Sequence, residues 1–350
     1  MIRYLSFLMA LLGGLALSCA PEPVEPEFSA REWVEAQRRA EPQYNGPDVR
    51  LEARFAPGSY TLNQSAVIRG QFESTRTGEI DSAEIRQRVT GDLEISEPDE
   101  QGVQTVRYTC RRVRETNATA RGVVTYDTDE PELDEDSPPM AAVLKSLNDP
   151  FVGWTATLRV RNGEVIETEG LDDQLHQVDE LAEGEGPDEA LAAVRRQRQL
   201  FLGGMLTQNW ARLLPDRAVG PGDTWEQDIQ VAAIPFLGDT QFETACLLED
   251  IELSDDDGPG IAVVRFAIAA VARDHQIDLT AISSAPLRGT AGDILLQSKG
   301  TIRFDLDSGF PRETTVDMLV AGDMYLRGPQ GNERLVIEEE REVTTTLEPK

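Results

Sequence analysis

Two histidines, His176 and His275, stand far apart in a chain of 350 residues, and that scarcity narrows the chemistry open to it. A zinc site needs three or four nitrogen, sulfur or oxygen ligands in a defined geometry. Neither histidine has a partner thiol or a second histidine nearby, so no metal is expected. A serine hydrolase of the α/β type would show a Gly-x-Ser-x-Gly elbow, and the chain contains none. Gly203-Gly204 is not followed by Gly-Lys-Ser/Thr, so it reads as close helix-on-sheet packing and not as a phosphate cradle. Asp255, Asp256 and Asp257, followed by Gly258, form a weak calcium candidate. Calcium loops space their ligands at alternate positions, whereas three contiguous aspartates before glycine are turn chemistry. Carboxylate pairs for glycoside cleavage carry no signal where acids are this abundant. No catalytic residue and no cofactor is assigned.

The cysteines are more telling. Residues 1 to 18 carry one early charge, Arg3, then an apolar run from Tyr4 to Leu17, then the small Ser18 directly before Cys19. That is the pattern of an export signal, too short and poorly flanked for a spanning helix. Leu15-Ala16-Leu17-Ser18-Cys19 resembles the bacterial lipobox, with Ala16 where leucine is commoner. The expectation is a Cys19 carrying diacylglycerol and palmitate, tethering the chain to a membrane. Ala20 after it, not aspartate, resembles the sorting pattern for the outer membrane, with the body facing the periplasm. An ordinary secretory signal cut nearby is the alternative.

Charge agrees with a lipid anchor as the membrane contact. There are 63 acidic against 33 basic residues, a formal net charge of −30. A field of that sign repels phosphate backbones, which argues against nucleic acid and against a polybasic membrane mode. Apolar residues make up 40%, enough for a packed core. Export also permits a disulfide, and Cys110 and Cys246 are its candidates; two buried free thiols are the other reading.

These residues must be held by a largely β body. Ala20 to Glu27 is a Pro/Glu tether. Phe28 to Glu41 reads as a short helix, with Ser29 at its N-cap and Glu32 three residues on. From Val49 onward period-two patterning dominates. Gly91–Val113 and Glu249–Val271 align without gaps at 8 of 23 positions, including Asp99/Asp257, Gly102/Gly260 and Val106/Val264. Each copy reads strand, acidic turn, strand. Pro-Gly precedes an aromatic that opens a strand at Tyr60 and again at Trp225. Each half then closes in a hairpin, one turning at Asn162-Gly163 and the other at Asp307-Ser308-Gly309.

The repeat offset sets Cys246 against Arg88, close to the residue facing Cys110. Pseudo-twofold packing of the halves would therefore let the two thiols meet. Thr125–Ser137 reads as a mobile acidic loop and Pro138–Leu147 as a short helix. The charged last strand, Arg334–Leu347, reads as an exposed edge. Trp33, Trp154, Trp210 and Trp225 read as core anchors more than as pocket walls.

Leu213-Leu214-Pro215, four residues, then Gly220-Pro221-Gly222-Asp223-Thr224-Trp225 resembles an uncharacterised family of bacterial lipoproteins bearing LLP-x(4)-GPGDTW. The resemblance spans about Ala56 to Leu347. It implies export, a lipid anchor and a duplicated β body, and brings no activity with it. More loosely, the pattern is similar to periplasmic lipoprotein carriers and lipid-binding half-barrels.

The expected fold is mainly β with a helical insert: two similar antiparallel, half-barrel-like repeats joined by a helical segment. The expected boundaries are a signal peptide at 1–18, lipidated cysteine, tether and short helix at 19–48, and a first repeat at 49–170. A helical connector at 171–214 and a second repeat at 215–350 complete the chain. The function expected is non-enzymatic binding of an apolar ligand or an envelope protein partner in a concave β surface. A structural or assembly lipoprotein is the alternative, and a carboxylate-dependent envelope hydrolase the third.

Overall fold

The computed structural model describes residues 28–39, 42–74, 80–120, 122–133, 136–161, 164–170, 210–227, 242–253, 259–272, 275–278, 288–328 and 331–350. The leader with Cys19, residues 171–209 of the connector with His176, and the Asp255–Asp257 turn lie outside them.

The first half contributes β1 (Gly58–Ser74), β2 (Ile80–Ile95), β3 (Val103–Thr119), β4 (Gly122–Asp127), β5 (Thr155–Arg161) and β6 (Glu164–Glu169). The second contributes β7 (Thr224–Trp225), β8 (Phe242–Leu253), β9 (Pro259–Ala272), β10 (His275–Asp278), β11 (Arg288–Asp305) and β12 (Phe310–Gly328). A final strand, β13 (Gly331–Pro349), follows. All belong to one 13-stranded sheet in the order β6-β5-β3-β2-β1-β13-β12-β11-β9-β8-β7, with β4 beside β3 and β10 beside β11. Every pairing is antiparallel. The order β6-β5-β3-β2-β1 recurs, in the same direction, as β12-β11-β9-β8-β7. The sheet is thus two similar repeats laid side by side.

β13 is the splice. It pairs with β1 from Tyr60↔Pro349 to Ser74↔Leu335, and with β12 from Glu313↔Thr346 to Gly328↔Gly331. The edge expected from its charges is therefore a central seam. Period-two geometry explains why the charges fit there: Glu338, Glu340 and Glu342 are exposed on the outer face, where Arg69 reaches Glu342 at 2.5 Å.

Local chemistry fixes the hairpins. At the β2–β3 turn, the Asp99 carboxylate accepts from the amides of Gln101 at 2.8 Å and Val103 at 2.9 Å. Gly102 supplies the left-handed residue there, at φ +75°. A register shift after Thr90 makes Arg111 an extra residue on β3, so Arg111 and Arg112 both face outward. Arg161↔Glu164 pairing leaves two residues between β5 and β6, as the Asn162-Gly163 signal requires.

Two helices lie against the sheet. α1 (Ala30–Ala36) is capped by Ser29, whose side chain accepts from the Glu32 amide, and is shorter than the sequence suggests. Its Ala30 and Val34 pack on Ala245, Leu247, Ala267 and Ala269, the outer face of β8 and β9. α2 (Pro139–Asn148) carries Leu144 and Leu147, which join Tyr126 of β4 in one apolar cluster with Cys246, Phe266, Leu296 and Val320. The first half's helix and the second half's strands thus share one apolar cluster. The expected acidic loop is partly strand: β4 runs to Asp127, which is buried and held by Arg112.

Candidate functional site

The residues that share the inner, concave face follow from the register. Across the centre, one row runs Thr244, Ile268, Ser298, Met318, Arg341, Ile68, Ile85, Asn117 and Val124, from β8 to β4. The neighbouring row contains Phe266, Gly300, Val316, Val343, Ala66, Gln87, Glu115 and Tyr126. Over β8–β12 this face is apolar and meets α2 and the 3-10 turn Ala211–Leu213. At one end of β1–β3 it is also apolar, built on Leu62, Leu93, Val106, Tyr108 and Trp154.

Toward the other end the character changes. The inward residues of β3 become Glu115, Asn117 and Thr119, spaced two apart as a strand requires. Glu115 is fully buried and accepts from Gln87 at 3.2 Å and from Asn148 of α2 at 3.4 Å. Gln64 is also buried, beside Thr345 at 3.5 Å. Asn117 is 2% exposed, and neither its oxygen nor its nitrogen has a partner. The Thr244 hydroxyl is buried and unpartnered too.

Glu339 occupies the seam on this face, flanked in register by Gly70 and Val320. It is 1% exposed and bonded to Arg341, and its second oxygen has no partner. Burial pushes its carboxyl up to about 7, against the pull of Arg341.

The outer face carries a separate, shallow feature. The small side chains of Ser82, Ala118 and Ala120 leave a groove of 480 Å³ rimmed by Arg69, Glu84, Glu338 and Glu340. Arg69 is already committed to Glu84 and Glu342.

The candidates from sequence fall as follows. Cys110 and Cys246 are both buried free thiols, in different core clusters. The expected bridge is not formed, because the halves are related by a shift along the sheet and not by a twofold. Six strands separate β3 from β8 in the sheet order. Burial pushes the Cys110 thiol up to about 11 and that of Cys246 up to about 12. Asp255, Asp256, Asp257 and Cys19 lie outside the described residues. No cluster of three or more metal-binding side chains occurs among the described residues. No helix among them is long and apolar enough to cross a membrane.

The tryptophans are anchors. Trp154 donates to the Gly170 carbonyl at 3.1 Å and meets Tyr108 edge-on, and Trp210 packs on Phe304 and Phe310. Trp225 donates to the Leu213 carbonyl at 2.7 Å. That bond ties the two ends of the LLP-x(4)-GPGDTW stretch together. Gly222 (φ +91°) donates to the Leu248 carbonyl at 2.7 Å, so the motif docks on β8 and acts structurally. Sequence reasoning missed the buried polar end. Its signal was present, as the polar i, i+2, i+4 run of Glu115, Asn117 and Thr119 on a strand whose earlier inward positions are apolar.

No family model matches the chain, and no curated protein matches it. Among solved structures, lipovitellin, described for its lipid–protein interactions, aligns at 10% identity and a TM-score of 0.40. That alignment covers 83% of this chain and 25% of lipovitellin, so the chain spans about a quarter of that protein's length. DynF of the dynemicin pathway of Micromonospora chersina aligns at 10% identity and 0.19, covering 92% of each chain. OccK5 of Pseudomonas aeruginosa aligns at 9% and 0.22, covering 85% of this chain and 100% of its own. All three scores lie below the level at which two folds coincide.

Proposed function

We propose that this chain is a non-enzymatic cell-envelope lipoprotein that binds an apolar ligand against the inner face of its sheet. The observation that carries the reading is the continuity of that face. One curved sheet of 13 strands presents Ile268, Met318, Ile68 and Ile85 in a single register row across both halves, interrupted only by Ser298 and Arg341. Burying apolar surface there is the favourable term, about 25 cal/mol per Å².

The anchoring follows the sequence. Cys19, acylated and followed by Ala20, would hold the body at the outer membrane, facing the periplasm. The fold is compatible with that attachment. α1, the first described element after the tether, packs on the outer face of β8 and β9.

A second reading rests on a specific observation. Leu144 and Leu147 belong to one apolar cluster with the inner face of the second half, and Trp210 packs on Phe304 and Phe310, as a filled core would have it. In that case the protein is a structural or assembly lipoprotein with no small-molecule site.

Titration with the apolar dye N-phenyl-1-naphthylamine separates the two. The chain carrying Cys19→Ser removes the acylation site, and with it the need for detergent. Saturable fluorescence at one dye per chain supports the binding reading. Only weak, non-saturating fluorescence supports the filled-core reading.

A further inference from the structure

We propose that the polar end of the inner face holds the uncharged head of an amphiphile, a hydroxyl or an amide, with Asn117 as the residue that reads it. This rests on the apolar-ligand reading above and names the class of ligand.

A buried carboxamide with no partner costs about 1–3 kcal/mol for each group left unmade. Asn117 leaves both its oxygen and its nitrogen unmade at 2% exposure. Its register neighbours Ile85 and Val124 are apolar and offer it nothing. A leucine or valine in its place would avoid the cost. Such departures from an otherwise consistent pattern are expected where a protein meets a ligand.

The face opens along the same strand. Two residues on, Thr119 is only half-buried. Its partner Gly122 is exposed, and a side chain added there would meet nothing within 4 Å. Exposure on this face therefore rises along β3 from Glu115, held by Gln87 and Asn148, and Asn117 to Thr119.

The head follows from what Asn117 lacks. Its amide nitrogen needs an acceptor and its oxygen needs a donor. A carboxylate or phosphate head satisfies only the nitrogen and would lie beside Glu115, two residues along the same strand. Arg341 is already bonded to Glu339. An ammonium satisfies only the oxygen. A hydroxyl or amide satisfies both, and its tail can lie over Ile85 and Ile68 toward Met318.

The test uses the Cys19→Ser chain and three competitors for bound N-phenyl-1-naphthylamine: monoolein, oleate and 1-octadecene. Monoolein should displace the dye at about tenfold lower concentration than the other two. Asn117→Leu should bring monoolein to the level of 1-octadecene, leave 1-octadecene unchanged and raise Tm. Asn117→Asp, which keeps the shape and loses the donors, should also lose the preference. Equal affinity for monoolein in wild type and both variants overturns the assignment, as does equal displacement by all three competitors in wild type. Failure of the dye itself to bind overturns the apolar-ligand reading beneath it.

Discussion

Tyr108 lies over Gly91 so closely that a Cβ built on the glycine would come within 2.3 Å of the tyrosine ring. In the second half, Phe266 occupies the repeat position equivalent to Tyr108. It does the same over Gly300, where an added Cβ would lie 2.6 Å from its ring. The duplicated aromatics thus bury themselves by the same device, each on a glycine of an adjacent strand. The glycines are on opposite neighbours, β2 for one and β11 for the other. The device is shared and its placement is not.

This predicts a graded cost for alanine. Gly91→Ala should destabilise by about 1–3 kcal/mol, because Tyr108 is locked against Trp154 and has little room to retreat. Gly300→Ala should cost more, since its Cβ would also fall 2.2 Å from the Thr315 carbonyl oxygen, a backbone atom. Urea unfolding of the two variants ranks them directly; equal midpoints would contradict the packing described.

The seam gives a pH dependence. The carboxyl of Glu339 is raised from its ordinary 4.5 to about 7 by burial. Its stabilising contribution is complete below about pH 4.5, where it is protonated in both states. That contribution is lost as pH rises through 7, when the buried group must ionise. Glu339→Gln should therefore remove this slope and gain on the order of 3 kcal/mol over wild type at pH 8. Thermal melts from pH 4 to 8 check it, and parallel curves for the two proteins would refute it.

The N-terminal segment is pinned by one guanidinium. Arg39 reaches Glu249 at 2.8 Å and Asp250 at 2.9 Å, and both carboxylates are buried. Asp250 also accepts from the amides of Gln43 and Tyr44. Arg39→Ala leaves two buried acids short of a partner. It should cost about 1–3 kcal/mol. Limited proteolysis should show faster cleavage between α1 and β1; an unchanged cleavage pattern would mean that Arg39 does not hold this segment.

Cys110 and Cys246 should behave as protected thiols. Both are buried with their pKa values pushed upward, so the reactive thiolate is scarce at neutral pH. Maleimide should label neither in the folded Cys19→Ser chain and both in urea without reductant. A failure to label in urea until reductant is added would restore the bridge.

Much of this architecture was legible locally. The aligned hairpins, the Asn162-Gly163 pair and the Ser29 cap are short-range patterns, and the strands form where those patterns lie. The seam was not legible. The run from Glu338 to Glu342 alternates faces in a way that suits an edge and a central strand equally. Only the distant pairing of Tyr60 with Pro349 decides between them. The same blindness produced the twofold expectation for the cysteines. A repeat in sequence specifies that two units exist and leaves open whether they meet by rotation or lie side by side. Asn117 is a third case: its polarity is visible in the sequence, but its burial without a partner is a property of the folded sheet.

Ligand binding by this chain requires an inner face that accommodates something apolar. Native mass spectrometry of the full protein, gently extracted from the cells that make it, tests that most directly. A discrete added mass, released on mild activation and identified as a single amphiphile per chain, is the predicted result. A spectrum showing only the polypeptide, unchanged after incubation with lipid extract, would contradict it.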